Sequence, residues 1–274
     1  MHDPGPAFRA LHQPGHPFVL ANAWDLGSAR MLAAMGAQAI GTSSAAFGFT
    51  VGKPDGAVTR DEALAHAEAM VAATDLPVSG DFENGFGDDP ETVAETLRLA
   101  AETGLAGLSI EDVTRGGAAA YDHALALERI RAATAQIRAL PRDMVLVARA
   151  DGLVQGHYDL DEAIARVRAF AEAGADCVYV PGLAHFEDLE RVVQEAGAPV
   201  NALAMGTLAS YARADFARIG VARISLGSAL ARVTHRAILD AMNEVYEDGS
   251  FSRLKKSVAG EAVDHMLEAG AASE

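Results

Sequence analysis

Cysteine is almost missing from this sequence. Cys177 is the only one among 274 residues, so no intrachain disulfide can form and the chain is not a disulfide-stapled scaffold. It lies in the apolar run Cys177-Val178-Tyr179-Val180, which reads as a buried strand and not as the setting of a catalytic thiol. Positive charge is also scarce: 22 Lys and Arg stand against 38 Asp and Glu, a formal net charge of −16. Nucleic acid and anionic membrane surfaces both require clustered cations, so neither is expected as a partner. An anionic substrate would need a locally positive site. No apolar run approaches the roughly 20 residues of a membrane span. The beginning Met1-His2-Asp3-Pro4-Gly5-Pro6 lacks the basic and apolar regions of a signal peptide, so a cytoplasmic protein is expected. One cysteine excludes Cys-x-x-Cys spacing, and no zinc site built on nitrogen and sulfur is expected.

What is abundant is small and apolar. Half the residues are hydrophobic while only 6% are aromatic, a composition suited to helices packed closely on a parallel sheet. The length is close to the roughly 250 residues of a (β/α)8 barrel, and residues 1–274 are read as one such domain.

Short apolar runs alternate with stretches of helical length, the pattern of repeated β-α units. Eight runs read as buried strands: Phe18 to Ala23, Gln38 to Thr42, Pro77 to Asp81, Ala106 to Ile110, Met144 to Arg149, Asp176 to Val180, Pro199 to Leu203 and Val221 to Leu226. Eight strands close a (β/α)8, or TIM, barrel. Thr59 with Glu62 forms a capping box, Asp159 or Asp161 opens a helix to Glu172, and Asp88-Asp89-Pro90-Glu91 reads as a cap with its first turn. Gly36, Gly104 and Gly174 each separate a helix from the next strand, where a left-handed residue is expected. Ala45 to Val58 and Val113 to Asp122 read as long loops of the kind that form lids or binding loops. Residues 228–274 supply more helix than a barrel needs, with Ser228 to Tyr246 as one helix and Phe251 to Gly270 as one or two. The surplus is expected to pack on a neighbouring subunit or across its own barrel.

In a parallel barrel the chemistry sits where strands end. Strand three ends in Gly80-Asp81-Phe82-Glu83-Asn84-Gly85-Phe86-Gly87, strand four in Ile110-Glu111-Asp112 and strand five in Ala148-Arg149-Ala150-Asp151. Carboxylates gathered in a half-buried site repel one another unless a cation neutralises them or some take up protons. Magnesium is the cation expected, because it prefers oxygen ligands, keeps several waters and accepts a chelating substrate. Asp81, Glu83 and Glu111 are the candidate metal ligands. Arg149 is the candidate clamp for a substrate carboxylate, since its planar fork matches that group. The turn Thr42-Ser43-Ser44 can present hydroxyl and backbone N–H groups to a carboxylate or enolate oxygen, and Asn201 on the seventh strand completes the candidate substrate-binding set with Asp81. His66, His123, His157 and His185 read as solvated or packed.

Taken in order, these motifs resemble those of the isocitrate lyase and phosphoenolpyruvate mutase superfamily from about Phe18 to Leu226. The set comprises Asn22-Ala23-Trp24-Asp25, Thr42-Ser43-Ser44, Gly52-Lys53-Pro54-Asp55 and the three acidic strand ends. The resemblance implies a TIM barrel assembled as a homo-oligomer, a tetramer with C-terminal helices exchanged between subunits. It also implies Mg2+, with Asp81 as the most direct ligand and Asp55, Glu83 and Glu111 supporting it largely through water. Asp55, Arg149 and Glu111 are then the catalytic candidates, and the chemistry passes through the enolate of a 2-oxo acid. In place of the lyases' Lys-Cys-Gly-His loop this chain has Val113-Thr114-Arg115-Gly116-Gly117-Ala118, and after strand six it has Pro181-Gly182-Leu183 where lyases place a glutamate.

The leading expectation is a magnesium-dependent C–C lyase or hydrolase acting on a small 2-hydroxy or 2-oxo (di)carboxylic acid. Tyr121, His123 and Tyr179 are candidate proton carriers. Two alternatives are P–C mutase or hydrolase chemistry on phosphonopyruvate, with Arg115 and Lys53 as cations, and a 2-oxo-acid-binding protein with little catalysis.

Overall fold

The structure, a computed structural model, describes residues 3–273. Strands β1 (Phe18–Asn22), β2 (Ala39–Gly41), β3 (Val78–Asp81), β4 (Gly107–Glu111), β5 (Val145–Arg149), β6 (Cys177–Tyr179), β7 (Val200–Leu203) and β8 (Arg223–Ser225) are all parallel. They close in chain order, β8 returning to β1, into the expected TIM barrel with helices around it. Each strand falls on one of the eight apolar runs.

The two faces of these strands have different fates because side chains alternate along a strand. Ile40, Val78, Leu108, Leu146, Val178 and Ile224 point outward into one continuous core shared with the helices. The helix Pro90–Glu102 shows how that core is sealed: Val93, Leu97, Ala100 and Ala101 recur at helical spacing and are buried against it. Each such Val or Leu contributes roughly 1.5–3 kcal/mol.

The inward face divides by height. At the N-terminal end Phe18, Ala39, Val145, Val147 and Cys177 surround Phe8, which the short helix Gly5–Ala10 inserts as a plug. Gly107 leaves room for it, since a Cβ there would stand 2.7 Å from the Val145 carbonyl oxygen and 2.8 Å from the Phe8 ring. Toward the C-terminal end the interior is polar, with Ser79, Asp81, Ser109, Glu111, Asn201 and Arg223 pointing inward. Reading the strands as uniformly apolar runs missed this change.

The capping signals are realised. Thr59 and Glu62 form a reciprocal capping box, Asp159 accepts from the Glu162 amide, and Gly36, Gly104 and Gly174 all have φ near +90°. Of the two acids before Pro90, Asp89 is the cap, while Asp88 accepts a hydrogen bond from the Tyr121 hydroxyl at 2.6 Å. The first long loop is not all loop, because Ser43 caps a helix over Ser44–Thr50. His12 and His16 have the four-residue spacing of a zinc-binding helix, but Pro14 and Gly15 between them form a turn.

Beyond the barrel lie a helix over Ala229–Asp248, a short 3-10 turn over Ser252–Lys256 and a helix over Gly260–Ala269. The last returns to its own barrel beside Leu26–Ala34, so closely that a Cβ on Gly270 would collide with the Arg30 carbonyl. Helix Ala229–Asp248 leaves Val233, Ile238, Leu239 and Tyr246 more than half exposed. Among the described residues no helix is long and apolar enough to cross a membrane.

Candidate active site

The carboxyl ends of the strands surround a cavity of about 330 Å³, with Thr42, Ser43, Ser44, Asp55, Asp81, Glu83, Glu111 and Arg149 all in its wall. Nearly the whole predicted set is therefore brought together. Its exception is Asn201, which is 1% exposed, points into the barrel without forming part of the cavity wall, accepts from Arg223 Nε at 2.8 Å and donates to Ser225 Oγ at 2.9 Å.

Asp81, the last residue of β3, is built into the hydroxyl turn. Its amide donates to Thr42 Oγ1 at 2.8 Å, and its Oδ2 accepts from both the amide and the hydroxyl of Ser44, each at 3.0 Å. Ser43 is occupied as a helix cap, accepting from the Ala46 amide. The turn thus orients a carboxylate of this protein as well as facing the cavity.

Arg149, the last residue of β5, pairs with three acids at once. It lies 3.1 Å from Asp81, 3.1 Å from Glu111 and 2.6 Å from Asp151, the last through two parallel hydrogen bonds. Its ring-facing side covers Tyr179, with the guanidinium carbon 5.0 Å from the ring centroid. Burial opposes the charge on Arg149, but Asp151, Glu111 and Asp81 outweigh it and hold the guanidinium protonated.

One guanidinium cannot neutralise this many carboxylates. Burial raises the Glu111 carboxyl well above its usual range; Arg149 opposes this, and Asp151, Asp81 and Glu83 reinforce it. Burial and the charges of Asp81 and Asp55 push Glu83 up to about 7, against the pull of Arg115. Asp55, on the outer rim, is raised by partial desolvation and by Asp81. Glu83 also has a left-handed backbone, φ +47°, rare for a non-glycine residue, and its carbonyl accepts from the Glu111 amide at 2.8 Å.

These residues fit a hard divalent cation. The donors are all carboxylate oxygens, Glu83 Oε1 is buried with no hydrogen-bond partner, and the site carries surplus negative charge. Among the described residues no three acid, His or Cys side chains already converge at metal-ligand spacing.

Asp112, next to Glu111, has a different task. It is 2% exposed and accepts from the Asp151 amide at 2.7 Å, the Tyr158 hydroxyl at 2.6 Å and Arg166 at 3.0 Å. It clamps the loop after β5 and so positions Arg149. The loop 113–122 reaches the mouth: Gly116 and Gly117 are in the cavity wall, the Gly117 carbonyl meets His157 at 2.8 Å, and Arg115 donates to the Val58 carbonyl of the loop after β2.

Of the three candidate proton carriers, only Tyr179 lines the cavity. Tyr121 is bound to Asn84 and Asp88, and His123 to Glu162. Lys53 is taken up by Glu62, at 2.5 Å, within the capping box. His66 is packed, stacked on Phe47 at 3.9 Å. Sequence reasoning passed over Asp151 as a partner of Arg149, and missed Arg223 altogether. The available signal was alternation, since Arg223 and Ser225 are polar at every second position of an otherwise apolar strand.

The profile of the phosphoenolpyruvate phosphomutase family matches residues 8–246. A crystal structure of a lyase/mutase-class protein from Burkholderia cenocepacia J2315 superposes with a TM-score of 0.90 at 44% identity, covering 96% of this chain and 94% of that one. An uncharacterized protein of Mycobacterium tuberculosis is 36% identical over 81% of this chain and 82% of its own. The 2-methylisocitrate lyase of Salmonella typhimurium is 31% identical over 73% of this chain and 70% of its own. The chain is an enzyme-fold member of the phosphoenolpyruvate mutase/isocitrate lyase superfamily, to which it plainly belongs.

Proposed function

We propose that this protein is a magnesium-dependent lyase that cleaves a C–C bond in a small 2-hydroxy or 2-oxo acid through an enolate. The observation that carries the reading is the Arg149 cluster. A buried arginine at a strand end is shared by Asp81, Glu111 and Asp151 beside a cavity of about 330 Å³, and Glu83 adds a carboxylate whose buried Oε1 has no hydrogen-bond partner.

Arg149 would turn its fork to the substrate carboxylate, and the Thr42-Ser43-Ser44 turn would hold the opposite edge of that group. Asp81, Glu83 and Glu111 would hold magnesium, with Asp55 supporting it from the rim. Magnesium, when bound, would chelate substrate oxygens and offset the negative charge that develops on them. The loops after β2 and β4 meet at the mouth and would restrict water there. Positioning and electrostatics of this kind can supply most of the acceleration without a strong nucleophile. That matters here, because Cys177 is fully buried in β6 and burial pushes its thiol up to about 11. Tyr179 would be the proton donor; burial raises its phenol pKa, so it stays protonated.

The P–C alternative is less well supported. Lys53, one of its two candidate cations, is paired to Glu62, and Arg115 leans on Glu83 at 3.8 Å and on the Val58 carbonyl. We also infer that the exposed apolar face of helix Ala229–Asp248 is covered by a second copy of the chain, so that the working form is a homo-oligomer; light scattering of the purified protein tests this.

The direct test is calorimetric titration of metal-stripped protein with pyruvate, oxaloacetate, 2-oxoglutarate and phosphonopyruvate, with and without magnesium. Magnesium-dependent binding of a 2-oxo acid, followed by C–C cleavage of a compound that releases it, is the expected result. Absence of binding under every condition would refute the reading.

A further inference from the structure

The largest fully buried side chain among the described residues is a charged one, Arg129 on the helix His123–Arg138, which is 1% exposed. Its hydrogen bonds all go to backbone carbonyls: Nη1 donates to Gly87 and Asp88, each at 2.6 Å, and Nη2 donates to Asn84. The guanidinium carbon lies 4.1 Å from the ring centroid of Tyr121. The Tyr121 hydroxyl in turn accepts from the Asn84 side chain at 2.9 Å and donates to Asp88 at 2.6 Å. Cation and ring thus grip both ends of one short segment, residues 84–88. Burial opposes the charge on Arg129, but a guanidinium keeps its proton in a protein. What this buried fork holds is the loop that carries Glu83.

That loop joins β3 to the helix Pro90–Glu102 and contains no helix or strand of its own. Glu83 has φ +47° and Phe86 φ +61°, left-handed values that a side chain disfavours, with Gly85 at +79° between them. Such a backbone persists only where its surroundings over-determine it. Here the Glu83 carbonyl accepts from the Glu111 amide at 2.8 Å, the Gly85 carbonyl accepts from the Thr96 hydroxyl at 2.8 Å, and those of Asn84, Gly87 and Asp88 all accept from Arg129. Among the described residues only the Arg129 side chain reaches more than one of these carbonyls. The loop so held turns Glu83 to the cavity and sets the Phe86 ring 5.6 Å from the guanidinium carbon of Arg115, which itself stands 3.8 Å from Glu83.

We propose that Arg129 is a positioning residue for the cation site: its fork holds the loop after β3 in the left-handed conformation that presents Glu83 to the cavity. Arg129 is not part of the cavity wall and acts only through Glu83. An ammonium would offer its donors from a single point, whereas the planar fork reaches carbonyls on both sides of the loop. The proposal rests on the reading that Glu83 helps to hold magnesium, and adds the residue that fixes Glu83 in place.

The test uses the metal-stripped full chain as wild type, Arg129→Lys and Arg129→Met. It reads magnesium affinity by calorimetry with magnesium chloride alone, and amide hydrogen exchange of the metal-free protein. Arg129→Met should bind magnesium about 10- to 100-fold more weakly than wild type, as for loss of a group that orients a metal ligand, with Arg129→Lys between the two. Exchange should quicken at the amides of Gly85, which donates to Phe82, and Glu111, which donates to Glu83. It should not change at the amide of Val178, which donates to Pro199 beside β6 and β7. Phe170→Leu, in the core on the helix Leu160–Glu172, is the control: it should lower the melting temperature and leave magnesium affinity within about twofold of wild type. Should Arg129→Met fail to fold, Arg129→Lys carries both measurements. Arg129 variants that bind magnesium within about twofold of wild type, or whose exchange rises equally at Val178, would make Arg129 a structural residue only and overturn the proposal, with the magnesium reading intact. If wild type itself takes up no magnesium, that reading falls and exchange alone decides. Quickening confined to Gly85 and Glu111 then upholds the clamp on Glu83, and uniform quickening overturns it.

Discussion

Glu111 and Arg149 are Cα partners across the β4–β5 pair, and their side chains meet at 3.1 Å above the last rung of the barrel. The pairing means that strand register alone delivers the arginine to the acid. Asp81, one strand further round, completes the contact from the other side.

Arg149 should therefore matter to stability as well as to binding. Arg149→Met leaves three acids without their shared cation and should destabilise the metal-free protein by about 3–5 kcal/mol. Magnesium should restore part of that loss by replacing the missing charge. Arg149→Lys should fold better but bind a 2-oxo acid about 10- to 100-fold more weakly, since an ammonium cannot make the paired contacts. Denaturant unfolding with and without magnesium, beside calorimetry, measures both.

Asp81→Asn retains the shape that accepts from Ser44 but removes the charge. Its unfolding free energy should change by about 1 kcal/mol or less, whereas magnesium-dependent binding of a 2-oxo acid should be lost. Unchanged magnesium dependence in this variant would mean that the cation is held elsewhere.

Asp112 should behave in the reverse way. Asp112→Ala strands Arg166 without its buried partner and frees the Asp151 amide, so a loss of about 3–5 kcal/mol is expected, with weaker substrate binding only as a consequence of a loosened Arg149. Thermal denaturation in the absence of ligand checks it.

His66 sets a pH dependence of known sign. Burial depresses its pKa from 6.5 to about 4, while its Nε2 donates to the Trp24 carbonyl. A depressed base binds fewer protons folded than unfolded, so the unfolded state gains as the medium acidifies. The stabilisation is fully present above pH 6.5 and is lost as pH falls toward about 4, an effect of about 3 kcal/mol. The difference in unfolding free energy between wild type and His66→Gln, measured across that window, should shrink as pH falls. A constant difference would show that His66 does not titrate on unfolding.

Much of the barrel was legible before folding because strand runs, capping boxes and C-terminal glycines are local signals. Thr59 with Glu62 needs no distant partner, and Gly36, Gly104 and Gly174 mark positions where backbone sterics favour glycine. The helix over Ser44–Thr50 was less visible, since its glycine and its aromatic residues obscure the helical pattern that Ser43 begins. Asp88 was read as part of a cap because its neighbour Asp89 is one; the hydroxyl it accepts from belongs to Tyr121, which only the folded loops bring near.

The order and types of residues by themselves determined the eight strands, the acids at the ends of the third and fourth, and the arginine at the end of the fifth, because alternation and chain order place strand ends on one face of a closed barrel. What the tertiary structure decided was pairing. It turned Asn201 toward Arg223, gave Asp112 to Arg166 and the Asp151 amide, took Lys53 out of the site, and left Arg223 Nη1 buried without a hydrogen-bond partner. Each of these depends on contacts between groups 9 to 54 residues apart, and such distances are set by barrel closure and side-chain packing, which no local pattern encodes.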